Sequence, residues 1–321
     1  MTAIRAAGLY AYYGTTAAVN GLDLTVPTGS VFGFLGPNGA GKTTTIAMLT
    51  TLLPPTAGRA EVAGFDVAGQ AAEVRRRIGI VFQESTLDLD LTAAENLRFQ
   101  AGLCGLSRQA ARGAVSAMLD LMDLSARGAT PVRHFSTGMR RRLEIARGLL
   151  AGPQILFLDE PTTGLDAQTR AAVWDHLERL RRERGVTVFV TTHQLEEAEH
   201  CDRIAIADRG KVITEGTPAE LKSVIGADLV ALRTEDDTRA RAALAERFSL
   251  AAEPSPDGLL IRVADAATLV PRLCTGLGVT VREVNVAPPT LDDVYLHHTG
   301  LAIREGETGP PALGDLGEGL R

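Results

Sequence analysis

The sequence predicts an α/β fold built on a mostly parallel sheet, followed by a second, smaller α/β domain. Three observations carry this prediction. Two apolar runs of buried-strand type, Ile155 to Leu158 and Val186 to Thr191, are separated by a helical stripe of Val173, Leu177 and Leu180, and strands that alternate with helices assemble as parallel sheets. A third apolar run, Ser30 to Leu35, ends in a glycine-rich loop and a helical stretch that Pro54-Pro55 closes. Near residue 225 the pattern shortens to brief strand-like and helix-like units, which marks the second domain.

The bulk properties fit this division. At 321 residues the chain is long for one compact core, so one large domain and one smaller one are expected. Hydrophobic residues make up 45% and charged residues 22%, with a mean hydropathy of +0.06, values typical of a globular protein. A formal charge of −6 supplies no concentrated basic surface, so nucleic acid is excluded as the expected partner. The arginine groups Arg75–Arg76–Arg77, Arg140–Arg141–Arg142 and Arg179–Arg181–Arg182–Arg184 are expected to be solvated helix faces or local partners for acidic residues. Cys104, Cys201 and Cys274 are odd in number and widely spaced, which suggests neither a disulfide framework nor a metal cluster. The start, Met1-Thr2-Ala3-Ile4-Arg5-Ala6, lacks the apolar stretch of a signal peptide, and no run reaches the ~20 apolar residues that span a bilayer. Any membrane role is therefore expected to belong to another chain.

Along the chain, Leu22 to Val26 alternates at period two and stops at Pro27, so residues 1 to about 30 read as an antiparallel lead-in. Thr92 and Glu95 form a capping-box pattern, and Val115, Met118, Leu119 and Met122 mark a buried helical stripe, making residues from about 85 to 135 mostly helical. Met139, Leu143, Ala146 and Leu150 recur at steps of four, three and four, which places Ser136 where a helix begins. In the second domain, expected over 225–302, Leu229 to Leu232, Leu259 to Val263 and Val279 to Val286 are strand-like, with helices between them. The stretch 303–321, rich in Gly, Pro and Glu, is expected to be disordered. There is no internal repeat, so the chain carries the motifs of one nucleotide site.

Those motifs are specific. Gly36-x-x-x-x-Gly41-Lys42-Thr43 is a complete Walker A pattern, set after a strand and before a helix as its mechanism requires. Its glycines allow backbone N–H groups to wrap phosphates, the helix N-terminus adds a positive dipole end, Lys42 reaches the β and γ phosphates of ATP, and the Thr43 hydroxyl binds Mg²⁺. The nucleotide-cradling set is Gly36, Pro37, Asn38, Gly39, Ala40, Gly41, Lys42, Thr43 and Thr44. Ile155 to Leu158 then delivers Asp159 and Glu160 at the polar end of a buried strand, where ligands of parallel sheets bind. Asp159 is expected to hold Mg²⁺ and Glu160 to polarise the attacking water.

The order of these elements over residues 1–222 resembles a nucleotide-binding domain of the ATP-binding-cassette (ABC) family. That resemblance implies a P-loop NTPase with a RecA-like parallel core, an antiparallel β lead-in and a helical subdomain over about 85–150. The family's signature, Leu-Ser-Gly-Gly-Gln, is matched by Phe135-Ser136-Thr137-Gly138-Met139, with Ser136 and Gly138 kept. A serine and a glycine at a helix N-terminus present hydroxyl and N–H groups to a γ-phosphate. Thr137 departs from the pattern, and a β-branched residue there is expected to carry strain if the position requires φ > 0. His193 resembles the family's switch histidine. Gln83 resembles the glutamine that meets Mg²⁺ or water and hinges the helical subdomain. Asp166 matches the D-loop across a dimer, and it also suits a plain N-cap. Tyr13 resembles the aromatic that stacks on adenine, with Tyr10 and Tyr12 as competitors.

Pro289 to Gly300 resembles the ending of daunorubicin/doxorubicin-resistance-type ATP-binding subunits. Leu291, Val294 and Tyr295 equally suit an amphipathic helix that covers the small domain. The resemblance implies a homodimer of ATPase subunits that drives drug or lipid-like export through a separate ABC-2-type permease, from the cytoplasmic face of the membrane. A soluble ABC-type ATPase with a non-transport partner is the alternative. Glu160 argues against a non-hydrolysing regulator, because it supplies the general base such a protein lacks.

Overall fold

The computed structural model describes residues 1–226, 228–255 and 258–299; the expected disordered stretch 303–321 lies outside them. The first compact unit covers Met1–Pro218. In chain order it contains β1 (Thr2–Tyr13), β2 (Thr16–Pro27), β3 (Val31–Leu35), α1 (Lys42–Leu49), β4 (Ala57–Val62), β5 (Phe65–Asp66), α2 (Ala71–Arg75), β6 (Ile78–Val81), α3 (Ala93–Leu103), α4 (Arg108–Leu121), α5 (Thr137–Leu149), β7 (Ile155–Asp159), α6 (Ala167–Arg184), β8 (Thr187–Thr192), α7 (Leu195–Ala198), β9 (Arg203–Asp208) and β10 (Lys211–Gly216).

These strands form two sheets. One is antiparallel, in the order β2-β1-β4-β5, and the other runs β10-β9-β3-β8-β7-β6. In the second, every neighbouring pair from β9 to β6 is parallel and only β10 is antiparallel. In β2 the residues Leu22, Leu24 and Val26 are buried while Asp23 and Thr25 face out, the alternation of a sheet with one wet face. By contrast β3, β7 and β8 are buried at every position, as strands covered on both faces are. Phe189 stands at the centre of that core, its ring 5.8 Å from Phe32, 5.9 Å from Phe34 and 5.5 Å from Phe157. Such aromatic pairs add about 0.5–1.5 kcal/mol each beyond their buried area.

The strand order decides where chemistry can occur. β8 lies between β3 and β7, with Leu35 paired to Thr192 and Asp159 paired to Thr191. The C-terminal ends of three parallel strands therefore share one edge of the sheet. Whatever follows β3 and β7 is separated by only two strand spacings, about 10 Å.

The helical stretch contains α3, which opens with the Thr92–Glu95 capping box, and α4, whose Val115, Met118 and Leu119 are buried. Phe99 and Leu103, one turn apart on α3, are 65% and 68% exposed. No helix among the described residues is long and apolar enough to cross a membrane.

The second unit begins at Ala219, inside the first turn of its first helix, and its described residues end at Thr299. Its elements are α8 (Pro218–Ile225), β11 (Asp228–Thr234), α9 (Asp237–Phe248), β12 (Ala252–Ser255), β13 (Gly258–Val263), α10 (Ala266–Gly276), β14 (Val281–Ala287) and α11 (Leu291–Thr299). The four strands form an antiparallel sheet, β12-β13-β11-β14, over a core that includes Val230, Leu232, Leu244, Ile261 and Leu273. Leu291, Val294 and Tyr295 of α11 are buried, and Asp293 pairs with Arg262 at 3.3 Å.

Candidate active site

The loop between β3 and α1 is shaped by glycines that nothing else can replace. Gly41, the N-cap of α1, has φ 93°, and a Cβ there would stand 2.4 Å from the Ala18 carbonyl oxygen. A Cβ on Gly36 would meet the Ala207 carbonyl oxygen at 2.3 Å. Both distances lie far inside contact range, so the backbone runs through gaps that no side chain fits.

Lys42, the first residue of α1, is buried and donates to the carbonyl oxygens of Gly36 (2.8 Å) and Pro37 (3.1 Å). It also stands 3.3 Å from Glu160 Oε1. Burial pushes the Lys42 ammonium below its usual range, an effect that the Glu160 and Asp159 carboxylates partly offset. Across the sheet edge, Asp159 ends β7 almost wholly buried and accepts hydrogen bonds from the Thr191 and Thr43 hydroxyls. Burial pushes its carboxyl up, against the pull of those two hydroxyls.

Glu160 carries the strain of the site. Its φ is 45°, a region that non-glycine residues rarely enter and that costs about 1–3 kcal/mol. Its N–H donates to the Thr191 carbonyl oxygen at 3.2 Å and to Thr191 Oγ1 at 3.1 Å. The carboxylate is split between partners: Oε1 faces Lys42, while Oε2 accepts from Thr163 Oγ1 at 3.2 Å and contacts His193 Nδ1 at 3.1 Å. Burial alone raises this carboxyl, but the His193 hydrogen bond and the Lys42 charge outweigh it and hold the group at about 2. His193 moves the opposite way: the hydrogen bond to Glu160 raises its pKa in spite of partial burial.

The structure thus brings Lys42, Thr43, Asp159, Glu160 and His193 into one cluster beside the Gly36–Gly41 loop and Thr44, while Gln83, Tyr13, Ser136, Gly138 and Asp166 stand on other elements. Gln83 is exposed in the segment after β6, beyond β7 from His193. Tyr13, half-buried, ends β1, where Tyr10 and Tyr12 stack on each other with centroids 6.3 Å apart. Ser136 is the exposed N-cap of α5, its hydroxyl accepting from the Met139 N–H at 3.3 Å. Gly138 is buried, and a Cβ there would stand 2.3 Å from Thr169 Cγ2. Asp166 caps α6 through the Thr169 N–H at 2.9 Å.

The structure decides two open expectations. Thr137 opens α5 and is not among the positive-φ residues. It starts a right-handed turn that a β-branched residue enters without the anticipated penalty. Of the two expectations for Arg141, a solvated face or a local acidic partner, the second holds: it pairs with Glu144 at 2.8 Å, but it is 7% exposed and also donates to four carbonyl groups. It follows Gly138 by three residues and precedes Ile145 by four, so helical periodicity puts it on the buried side of α5; that spacing is the signal composition alone conceals. Two further residues escape the reading. The Thr191 hydroxyl links Asp159 to the Glu160 N–H. Glu197, 2% exposed, accepts from Thr162 and Thr192 and pairs with Arg170 at 3.5 Å.

The donor set suits Mg²⁺. Asp159 and Thr43 offer hard oxygens side by side, and Mg²⁺ takes one or two protein oxygens and completes its shell with phosphate and water. A parallel sheet carrying a glycine loop, a buried lysine and two carboxylates at one edge defines a P-loop ATPase.

The comparisons narrow the class. The ABC transporter profile matches residues 19–163. Daunorubicin resistance ATP-binding protein DrrA3 of Streptomyces coeruleorubidus is 44% identical over 305 residues, 93% of this chain and 96% of its own length. Nod factor export ATP-binding protein I of Burkholderia orbicola (strain AU 1054) is 40% identical over 295 residues, covering 91% and 95%. Among solved structures, cbiO1 of Clostridium perfringens, part of an ABC transporter complex, superposes with a TM-score of 0.65 at 28% identity, over 70% of this chain and 93% of that one. A bacterial ABC transporter cassette solved as a dimer gives 0.61 at 28% identity, over 67% and 98%. The chain belongs to the ABC transporter family, as an ATP-binding and ATP-hydrolysing subunit.

Proposed function

We propose that the chain works as a homodimer on the cytoplasmic face of the membrane and energises export of a hydrophobic drug, antibiotic or lipid-like compound through a separate ABC-2-type permease. The observation that carries its chemistry is the Lys42–Glu160–His193 cluster at the ends of β3, β7 and β8. Lys42 and the N-terminus of α1 bind the phosphates of ATP. Thr43 and Asp159 would hold Mg²⁺, with Gln83 closing on it or on water; once bound, the ion would supply positive charge against the phosphates. Tyr13 supplies the face for adenine.

In hydrolysis the water oxygen attacks the γ-phosphorus, the bond to the β–γ bridging oxygen breaks, and Glu160 takes the water's proton. A carboxylate held at about 2 is a weak base. Phosphate oxygens compete for Lys42 and His193, the two partners that hold it there. As they turn to the nucleotide, burial is left to dominate and the pKa of Glu160 climbs toward a useful value.

Export is supported by the likeness to the daunorubicin-resistance and Nod-factor-export subunits, which extends through the second unit. Exposed Phe99 and Leu103 on α3 suit an apolar docking surface for the membrane partner. The test is to co-produce the chain with a candidate ABC-2-type membrane protein in inverted vesicles. ATP-dependent uptake of daunorubicin or of a fluorescent lipid, abolished by Glu160→Gln, is expected. ATP turnover that the membrane protein never alters, without uptake of either probe, would point to a non-transport partner.

A further inference from the structure

Arg141 is a buried guanidinium that serves four carbonyl groups and one carboxylate. Its Nε donates to the Pro161 carbonyl oxygen at 2.5 Å, and Nη1 to the Phe82 carbonyl oxygen at 2.7 Å. Nη2 donates to the carbonyl oxygens of Asp159 (3.3 Å) and Glu160 (3.0 Å). Glu144, one turn along α5, pairs with Nη1 at 2.8 Å and neutralises the charge. Five N–H donors in a rigid fork are what arginine alone provides.

The targets are not scattered. The Asp159 and Glu160 carbonyls belong to the two peptide planes that flank the Glu160 Cα, and Pro161 lies in the next. Fixing both flanking planes fixes φ and ψ of Glu160, hence the direction of its side chain. This is the residue with φ 45°, a conformation that persists only where the surroundings over-determine it. The Phe82 carbonyl immediately precedes Gln83, and Arg141 itself sits in the helix that Ser136 caps. One side chain therefore joins the segment that carries Gln83, the turn that carries Glu160 and the start of α5.

We propose that Arg141 is a positioning residue for hydrolysis: it holds Glu160 in its strained backbone conformation and ties that conformation to α5 and to the Gln83 segment. The proposal rests on the reading of Glu160 as the base. Arg141 touches no reacting atom, and its effect is expected to pass entirely through Glu160. Lysine is not a substitute, since one ammonium cannot span these carbonyls.

The experiment uses the full-length chain and radiolabelled ATP in single-turnover assays, with nucleotide affinity measured separately. Arg141→Lys, which keeps a cation beside Glu144, and Arg141→Gln paired with Glu144→Gln, which leaves no buried orphan charge, are each expected to lower kcat by about 10–100-fold, since a misplacement near 1 Å costs on that order. Nucleotide affinity should stay within about threefold, because ground-state binding is untouched. In a Glu160→Gln background the same changes should add almost no further loss, as expected of residues acting as a unit. Multiplicative loss in that background overturns the proposal. So does a pattern in which affinity and thermal stability fall together while turnover per bound nucleotide is unchanged, which marks a merely structural arginine. If Glu160→Gln alone keeps near-normal turnover, the base reading fails, and that failure is distinguishable from the others.

Discussion

The turn after β7 and the start of α5 both match family motifs in sequence, yet they are built in opposite ways. The first is buried, strained at Glu160 and dense in charge, and its groups find partners within the same chain. The second is an unstrained helix start whose Ser136 is an exposed, ordinary N-cap. Strain and perturbed titration mark places where surroundings force a conformation for chemistry. An exposed cap with neither is suited to receive a ligand from another surface. The contrast fits our proposal that one chain carries a Lys42–Asp159–Glu160 half-site and, separately, a signature half-site at Ser136.

The sharpest way to break this contrast is Glu160→Gln. It should preserve ATP binding and cut turnover by about 10²–10⁴-fold, the usual contribution of a general base; purified mutant with near-normal hydrolysis would remove Glu160 from that role. Next in size is Gly138→Ala, whose added Cβ runs into Thr169 at 2.3 Å. Because the flank of α5 is closed by its own chain, we expect a loss of about 1–3 kcal/mol in urea unfolding, typical of overpacking. An unchanged midpoint would show that α6 yields freely.

A third test reads the charges of the turn. The imidazole of His193 should titrate above its ordinary value in the nucleotide-free protein and move back toward it in Glu160→Gln, since the hydrogen bond to Glu160 is the main cause of the rise. A raised folded pKa contributes stability that is present below the ordinary value of 6.5 and lost as pH rises through the folded pKa. For Glu160 the sign reverses: its contribution is present above 4.5 and lost as pH falls toward about 2. Imidazole resonances followed by NMR across about pH 5–9, a range that brackets the usual histidine pKa, check the first part; a titration that Glu160→Gln leaves in place contradicts it. The smallest effect is expected from Thr137→Gly. With no strain to relieve, glycine at the first helical position should cost at most about 1 kcal/mol, with turnover unchanged.

How much of this was legible follows from what each residue does. The glycine loop, the three buried strands and the ends that carry Asp159, Glu160 and His193 are readable, because continuous apolar runs and steric need leave direct marks. β4, with its pattern of three exposed residues before the first buried one, and β12, which contains Pro254, carry too little periodicity to be read. Arg141 and Glu197 are hidden for another reason: a buried charge looks like a surface one until its partners are known, here carbonyls distant in sequence for Arg141 and the Thr162 and Thr192 hydroxyls with Arg170 for Glu197. Thr137 invited an inference of strain from a family pattern, but only the backbone reveals that helix α5 begins without it.

We propose that each hydrolytic site of the homodimer joins the Lys42 cluster of one chain to Ser136 of the other, since each chain carries one of each. Mixing a Lys42→Ala chain with a Ser136→Arg chain tests it most directly, with heterodimers isolated through two different tags. If sites are shared, one site of the heterodimer collects both lesions and the other keeps an intact Lys42 and an intact Ser136. ATP-dependent dimerisation and single-turnover hydrolysis should then return in the mixture although each parent is inactive. If confirmed heterodimers recover neither signal, each chain builds its own site and the claim is wrong.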